Sequence, residues 1–213
     1  MSIISREVAV KKVFIVLCIA VLAGIVFHDA PAQEKKKSAK NAPTQEEMMK
    51  RWEAAMTPGD AHKKLEAFVG KWDVEVKDWT SGPKGEPTVS KGSAEYTMAL
   101  GGRYLQQEFT GDMMGQKMNG IGYTGYDNTK KKYVSFWIDN MGTAMSTMEG
   151  SMDKEGKSLV MWGKMDDPAM GKKDEKVKYV MRVESPDKHV FEMYNVAAFG
   201  EKTPVAVLTY TRK

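Results

Sequence analysis

The side chains best placed to do chemistry are carboxylates set among aromatic residues. In Tyr133-Val134-Ser135-Phe136-Trp137-Ile138-Asp139, an extended backbone puts Tyr133, Ser135, Trp137 and Asp139 on one face. Val134, Phe136 and Ile138 fall on the other. A face mixing aromatic and polar groups is the pattern of a ligand cavity wall, where apolar surface grips and a few polar groups orient. Tyr104, Gln106 and Glu108 share such a face opposite Leu105 and Phe109, and Glu192 shares one with Tyr194. The ligand-binding candidates are therefore Tyr104, Gln106, Glu108, Ser135, Trp137, Asp139, Glu192 and Tyr194, assigned to an interior. The opposite assignment, with these faces in solvent and the aliphatic faces in the core, fits the alternation equally well. A separate alternative to a ligand wall is that Trp137 is core and Asp139 caps the turn toward Asn140.

Other chemistries find less support. Glu108, Asp139 and Glu192 could act as general acids or bases if they converged, but nothing in their spacing demands it. Asp166-Asp167 precedes Pro168 and reads as a turn. There is no G-x-S-x-G elbow and no phosphate-cradling loop. No catalytic residue, metal ligand or cofactor is assigned. Met113, Met114, Met118, Met141, Met145, Met148 and Met152 could suit copper(I), but their spacing follows strands, and thioethers also fill irregular cores.

The compartment comes from the first 32 residues. Arg6, Lys11 and Lys12 precede an apolar run from Val13 to Phe27, then Ala30-Pro31-Ala32. A basic start, a short apolar core and a small-x-small site make a secretory signal, with cleavage expected after Ala32 and no stable membrane anchor left behind. Fifteen helical residues span roughly 22 Å, short of a bilayer's ~30 Å core. The only cysteine, Cys18, lies inside this leader, so the exported part can form neither a disulfide nor a thiolate site. The net charge of +4 also sits in front: from Asn41 onward 25 basic residues face 25 acidic ones. A neutral domain offers no broad electrostatic footprint for nucleic acid. Lys130-Lys131-Lys132 reads as a solvated hairpin.

The elements that must position the candidates follow a basic linker at 33–43. Thr44 caps a helix at about 45–56, with Glu46 and Glu47 in its first turn. Thr57-Pro58 starts a second short helix carrying Leu65, Phe68 and Val69 and ending at Gly70. Beyond it the period changes from helical to alternating. Strands are expected at 71–79, 88–99, 103–112, 116–126, 131–139, 143–152, 158–165, 175–185, 188–197 and 203–212. The turns between them are too short for helical crossovers, so successive strands pair antiparallel. A meander of this length exposes two edges unless it closes. The predicted fold is all-β: an antiparallel up-and-down barrel of roughly ten strands over 57–213, preceded by short N-terminal helices.

Gly70-Lys71-Trp72, where a short helix feeds the first strand, resembles the G-x-W element of lipocalin-like (calycin) barrels. In those barrels an arginine on the last strand packs over the tryptophan, and Arg212 matches by position. A broader set is more specific: Leu100-Gly101-Gly102-Arg103-Tyr104-Leu105, Gly111-Asp112-Met113-Met114-Gly115, Gly122-Tyr123-Thr124-Gly125-Tyr126-Asp127-Asn128, and Trp137-Ile138-Asp139-Asn140-Met141-Gly142-Thr143. This set resembles the bacterial family called domain of unknown function 1579, over about 57–213. The resemblance implies a fold like that of lipocalins and the haem-binding nitrobindin group, and assigns no activity. Nitrobindin-like barrels use a late histidine, and His189 is late, but it lies beside Asp187 and Lys188 at a strand start, as an exposed loop edge would. His62 precedes Trp72 on the helix. The functional expectation is an exported, periplasmic or secreted barrel that holds a small hydrophobic or amphipathic molecule inside. The alternatives are a barrel enzyme with an interior carboxylate and a filled barrel acting as an envelope interaction domain.

Overall fold

Alternating apolar residues after Gly70 become ten strands: β1 (Gly70–Asp78), β2 (Thr88–Ala99), β3 (Tyr104–Met113), β4 (Gln116–Asp127), β5 (Lys132–Asp139), β6 (Ser146–Met152), β7 (Ser158–Asp167), β8 (Lys172–Ser185), β9 (Lys188–Asn195) and β10 (Ala206–Arg212). The computed structural model describes residues 42–79, 82, 85–113 and 115–213. The expected leader and its cleavage point lie outside the described residues. Each strand pairs antiparallel with the next, and β1 pairs with β10 from Trp72↔Arg212 to Asp78↔Ala206, which closes the barrel. Closure leaves no unpaired edge along the sheet.

Some boundaries differ from the sequence reading for local reasons. The sixth strand starts at Ser146 rather than 143 because Asp139 and Asn140 hold a turn: Asp139 Oδ1 accepts from the Met141 amide, and Asn140 Nδ2 donates to the Lys117 carbonyl. The expected ninth strand ends early because Asn195 accepts from the Ala198 amide and caps a short helix, α3 (Val196–Phe199). Before the barrel lie α1 (Gln45–Met56), α2 (Asp60–Lys63) and a 3₁₀ turn (Lys64–Phe68). The cap of α2 is Gly59, not Thr57. Thr57 instead donates its hydroxyl to the Glu53 carbonyl and finishes α1.

The register separates the two ends. Inward positions near the helices hold Trp72, Tyr96, Tyr210 and His189, each at most 2% exposed, and Leu65 and Phe68 of the 3₁₀ turn plug that end. Tyr133, also inward, donates its hydroxyl to the Ala61 carbonyl and ties α2 to the wall. The Arg212 guanidinium lies 4.2 Å from the Trp72 ring and donates to the carbonyls of Val69 and Pro186. Gly70 has φ 142°, and a side chain there would collide with Arg212. The glycine of Gly70-Lys71-Trp72 therefore makes room for the arginine that covers the tryptophan.

Candidate functional site

The opposite, open end of the barrel is lined differently. Inward-facing Val76, Met118, Trp137, Tyr179, Phe191 and Leu208 pack against the core yet keep partial solvent access. The lumen is therefore filled at the helix end and accessible at the other. Trp137 does not project across it. Its ring lies flat on the wall over Gly120 and Gly122, where any Cβ would strike the indole. The indole Nε1 donates to Asp139 Oδ2 at 2.7 Å, which fixes the ring's orientation. Asp139 thus serves both the turn and the tryptophan. Across the lumen Tyr179 packs edge-to-face on Phe191. Burial, and second the Asp139 charge, push the Tyr179 phenol up to about 12, so it stays a neutral hydroxyl donor at ordinary pH. At the rim Asn195 donates to Glu175, which also pairs with Lys172.

Of the eight residues expected inside, Ser135, Trp137 and Asp139 face inward and come together on β5. Tyr104, Gln106, Glu108, Glu192 and Tyr194 face outward, contrary to the sequence assignment. Their strand neighbours Leu105 and Phe109, and Phe191 on β9, pack with the core, so alternation sends the mixed faces out. Polar partners outside satisfy them. Tyr123 donates to Gln106, Gln106 to Glu108, and Tyr194 to Glu192, which also pairs with Arg182. Lys178 lies 3.8 Å over the Tyr194 ring. Glu108, Asp139 and Glu192 accordingly do not converge as an acid–base set.

The outer face of β3 to β7 carries a groove of about 940 Å³, lined chiefly by Leu100, Tyr104, Tyr123, Phe136, Met145 and Trp162. Tyr123 and Phe136 stack at 5.4 Å, and the Tyr104 ring covers Gly125. The sequence pattern singles out Tyr104 but misses the groove, because it sets Phe136 on the face opposite the cavity candidates.

His189 is not the exposed loop residue its neighbours suggested. It is 1% exposed, stacked on Tyr210 at 4.2 Å and edge-on to Trp72 at 4.4 Å, and neither ring nitrogen has a hydrogen-bond partner. Burial, then the Arg212 charge, lower its pKa to about 3. An axial haem ligand needs a nitrogen facing open space, so this walled-in imidazole does not fit that role. His62 is also buried, and its Nδ1 accepts from the Gly59 amide. Burial lowers its pKa as well. Among the described residues no three His, Cys, Asp or Glu side chains gather as a metal site. The methionines are dispersed: Met148, Met118 and Met152 line the core, while Met141 and Met145 are exposed beside the β5–β6 turn.

The family model described as "Protein of unknown function (DUF1579)" matches residues 57–212. The chain belongs to this family. No curated protein matches it in sequence. Among solved structures, Rv2717c from M. tuberculosis is similar, with a TM-score of 0.51, 11% identity, and 74% of this chain and 99% of that one covered. The S-type phycobiliprotein lyase CPES from Guillardia theta aligns with a TM-score of 0.45, 10% identity, and coverage of 76% and 96%. A redesigned β-barrel, mFAP1, bound to DFHBI, aligns at 0.35 and 14% identity, covering 72% and 100%. At such identities the likeness of this DUF1579 barrel to Rv2717c concerns the fold alone.

Proposed function

We propose that this DUF1579 protein is an exported barrel that binds a small hydrophobic or amphipathic molecule in the open half of its lumen. The observation that carries the reading is the contrast between the two ends. Large inward side chains are sealed beside the helices and remain accessible around Trp137, Tyr179, Phe191 and Leu208. An apolar wall with a few convergent polar groups is the usual composition of a small-molecule site. Here the Tyr179 hydroxyl and the Asp139 carboxylate supply those groups. The basic, apolar and small-x-small order of residues 1–32 supports export.

Titration with the neutral fluorescent lipophile N-phenyl-1-naphthylamine tests the lumen. Saturable binding is expected. Ser146→Trp, at an inward position paired with Trp137, should weaken it at least about tenfold, whereas Leu100→Asp on the outer face should not. Absence of saturable binding to the unaltered protein, or binding insensitive to Ser146→Trp, overturns the proposal. Intact mass of the exported product, with Gln33 expected at its start, tests cleavage.

A further inference from the structure

Two apolar surfaces of this chain face solvent and stand next to each other. The first is one face of α1. At 100° per residue Met48, Met49, Trp52, Ala55 and Met56 form a continuous stripe, yet no residue of α1 is buried and Trp52 is 64% exposed. The second is the groove on β3 to β7, whose near end is Leu100, 73% exposed. Exposed apolar surface on this scale marks a contact site more often than it occurs by chance.

The helix is held at the end of the groove without entering it. Asn128 Nδ2 donates to the carbonyls of Ala54, Ala55 and Thr57, and Arg103 donates to the Met56 carbonyl. Residues beside these clamps, Leu100, Tyr104 and Lys130, begin the groove, and no residue of α1 lines it. The helix therefore leaves its own groove open while offering its apolar stripe outward.

We infer that the groove receives α1 of a second copy of this chain, in a two-fold dimer that exchanges the helices reciprocally. A helix of 12 residues is about 18 Å long, which suits a groove crossing five strands ~4.8 Å apart. The edges match in charge. Glu53 flanks one side of the stripe, and Lys130, which also pairs with Glu149, rims the groove. A standard stable interface buries about 1,600 Å² in total, so each of the two contacts has to supply about half of that. A self-complementary contact made twice is the commonest form of closed assembly.

The test is the solution mass of protein purified after expression of the full chain, by light scattering and sedimentation. The unaltered protein is expected to be a dimer at about 100 µM. Trp52→Asp and Leu100→Asp alter exposed side chains, so the barrel should keep its circular dichroism. Each should raise the dimer dissociation constant at least about 30-fold. Mixing the two variants should restore a heterodimer, because it contains one intact helix and one intact groove in contact. A monomer at about 100 µM overturns the inference, as does a dimer that survives either substitution. So does a monomer whose α1 instead mediates binding to phosphatidylglycerol vesicles, since the helix would then serve a lipid surface.

Discussion

His189 gives the most exacting test of the core. A neutral imidazole has one donor and one acceptor, and here both lie buried without partners among Phe68, Trp72, Tyr96 and Tyr210. Its folded pKa is about 3 against 6.5 for an unperturbed histidine. The unfolded chain therefore takes up a proton near pH 6.5 that the folded chain refuses until pH 3. The folded pKa is depressed, so this contribution is fully present above pH 6.5 and is lost as pH falls toward 3. Within that window the loss is about 1.4 kcal/mol per pH unit, which amounts to about 2 kcal/mol between pH 7 and pH 5.

The assay is urea unfolding of the unaltered protein and His189→Phe at pH 7, 6 and 5. At pH 7 the sign of the difference depends on packing. Removing two unsatisfied nitrogens favours phenylalanine by roughly 1–3 kcal/mol each, while the larger ring costs about 1–3 kcal/mol. The change in that difference with pH does not depend on packing, because packing does not titrate. His62, also depressed, titrates alike in both proteins and cancels. His189→Phe should gain about 2 kcal/mol relative to the unaltered protein on going from pH 7 to pH 5. A difference that stays constant across this range would refute the buried, neutral histidine.

Three further outcomes follow from single contacts. Arg212→Met removes the guanidinium over Trp72 and its hydrogen bonds to Val69 and Pro186. It should cost about 3 kcal/mol in urea unfolding, most of it independent of salt because the Asp187 pair is exposed. Gly120→Val would drive the Trp137 indole off the wall. It should lower stability by about 2 kcal/mol or more and change Trp137 fluorescence, whereas the same change at solvent-facing Gly142 should not. Tyr96, Tyr133, Tyr179 and Tyr210 all have phenols raised chiefly by burial. Their contribution is complete below pH 10 and lost above it, so alkaline unfolding should begin near pH 10, and Tyr96→Phe should delay it.

Much of the fold was legible because it rests on local signals. Short turns forced antiparallel neighbours, and the lack of any crossover left closure as the way to remove both edges. The site was legible only on β5, where Tyr133, Ser135, Trp137 and Asp139 do face inward. On β3 and β9 the same reasoning inverted the wall. A face such as Tyr104, Gln106 and Glu108 looks like a cavity lining, but its polar groups can satisfy one another outside, as Tyr123, Gln106 and Glu108 do. What decides between the faces is the company across the barrel. Leu105 and Phe109 meet core partners that are distant in sequence, so no local pattern reveals them. His189 was misplaced for the same reason: its charged neighbours Asp187 and Lys188 describe the turn, whereas its environment comes from β1, β2 and β10.

The outer face of β3 to β7 turns that misreading to use. If mixed aromatic faces were merely tolerated on the surface, their apolar rings would be scattered and individually solvated. Instead Tyr123 stacks on Phe136, Tyr104 lies on Gly125, and Trp162 carries Lys176 at 4.2 Å, so the rings are arranged into a groove before anything fills it. Holding rings in place beforehand lowers the entropy cost of a later contact. Lumen and groove therefore answer to separate substitutions. Ser146→Trp acts inside the wall and Leu100→Asp outside it. Loss of lipophile binding without loss of the dimer, and the reverse, is the result expected if one barrel wall serves two surfaces.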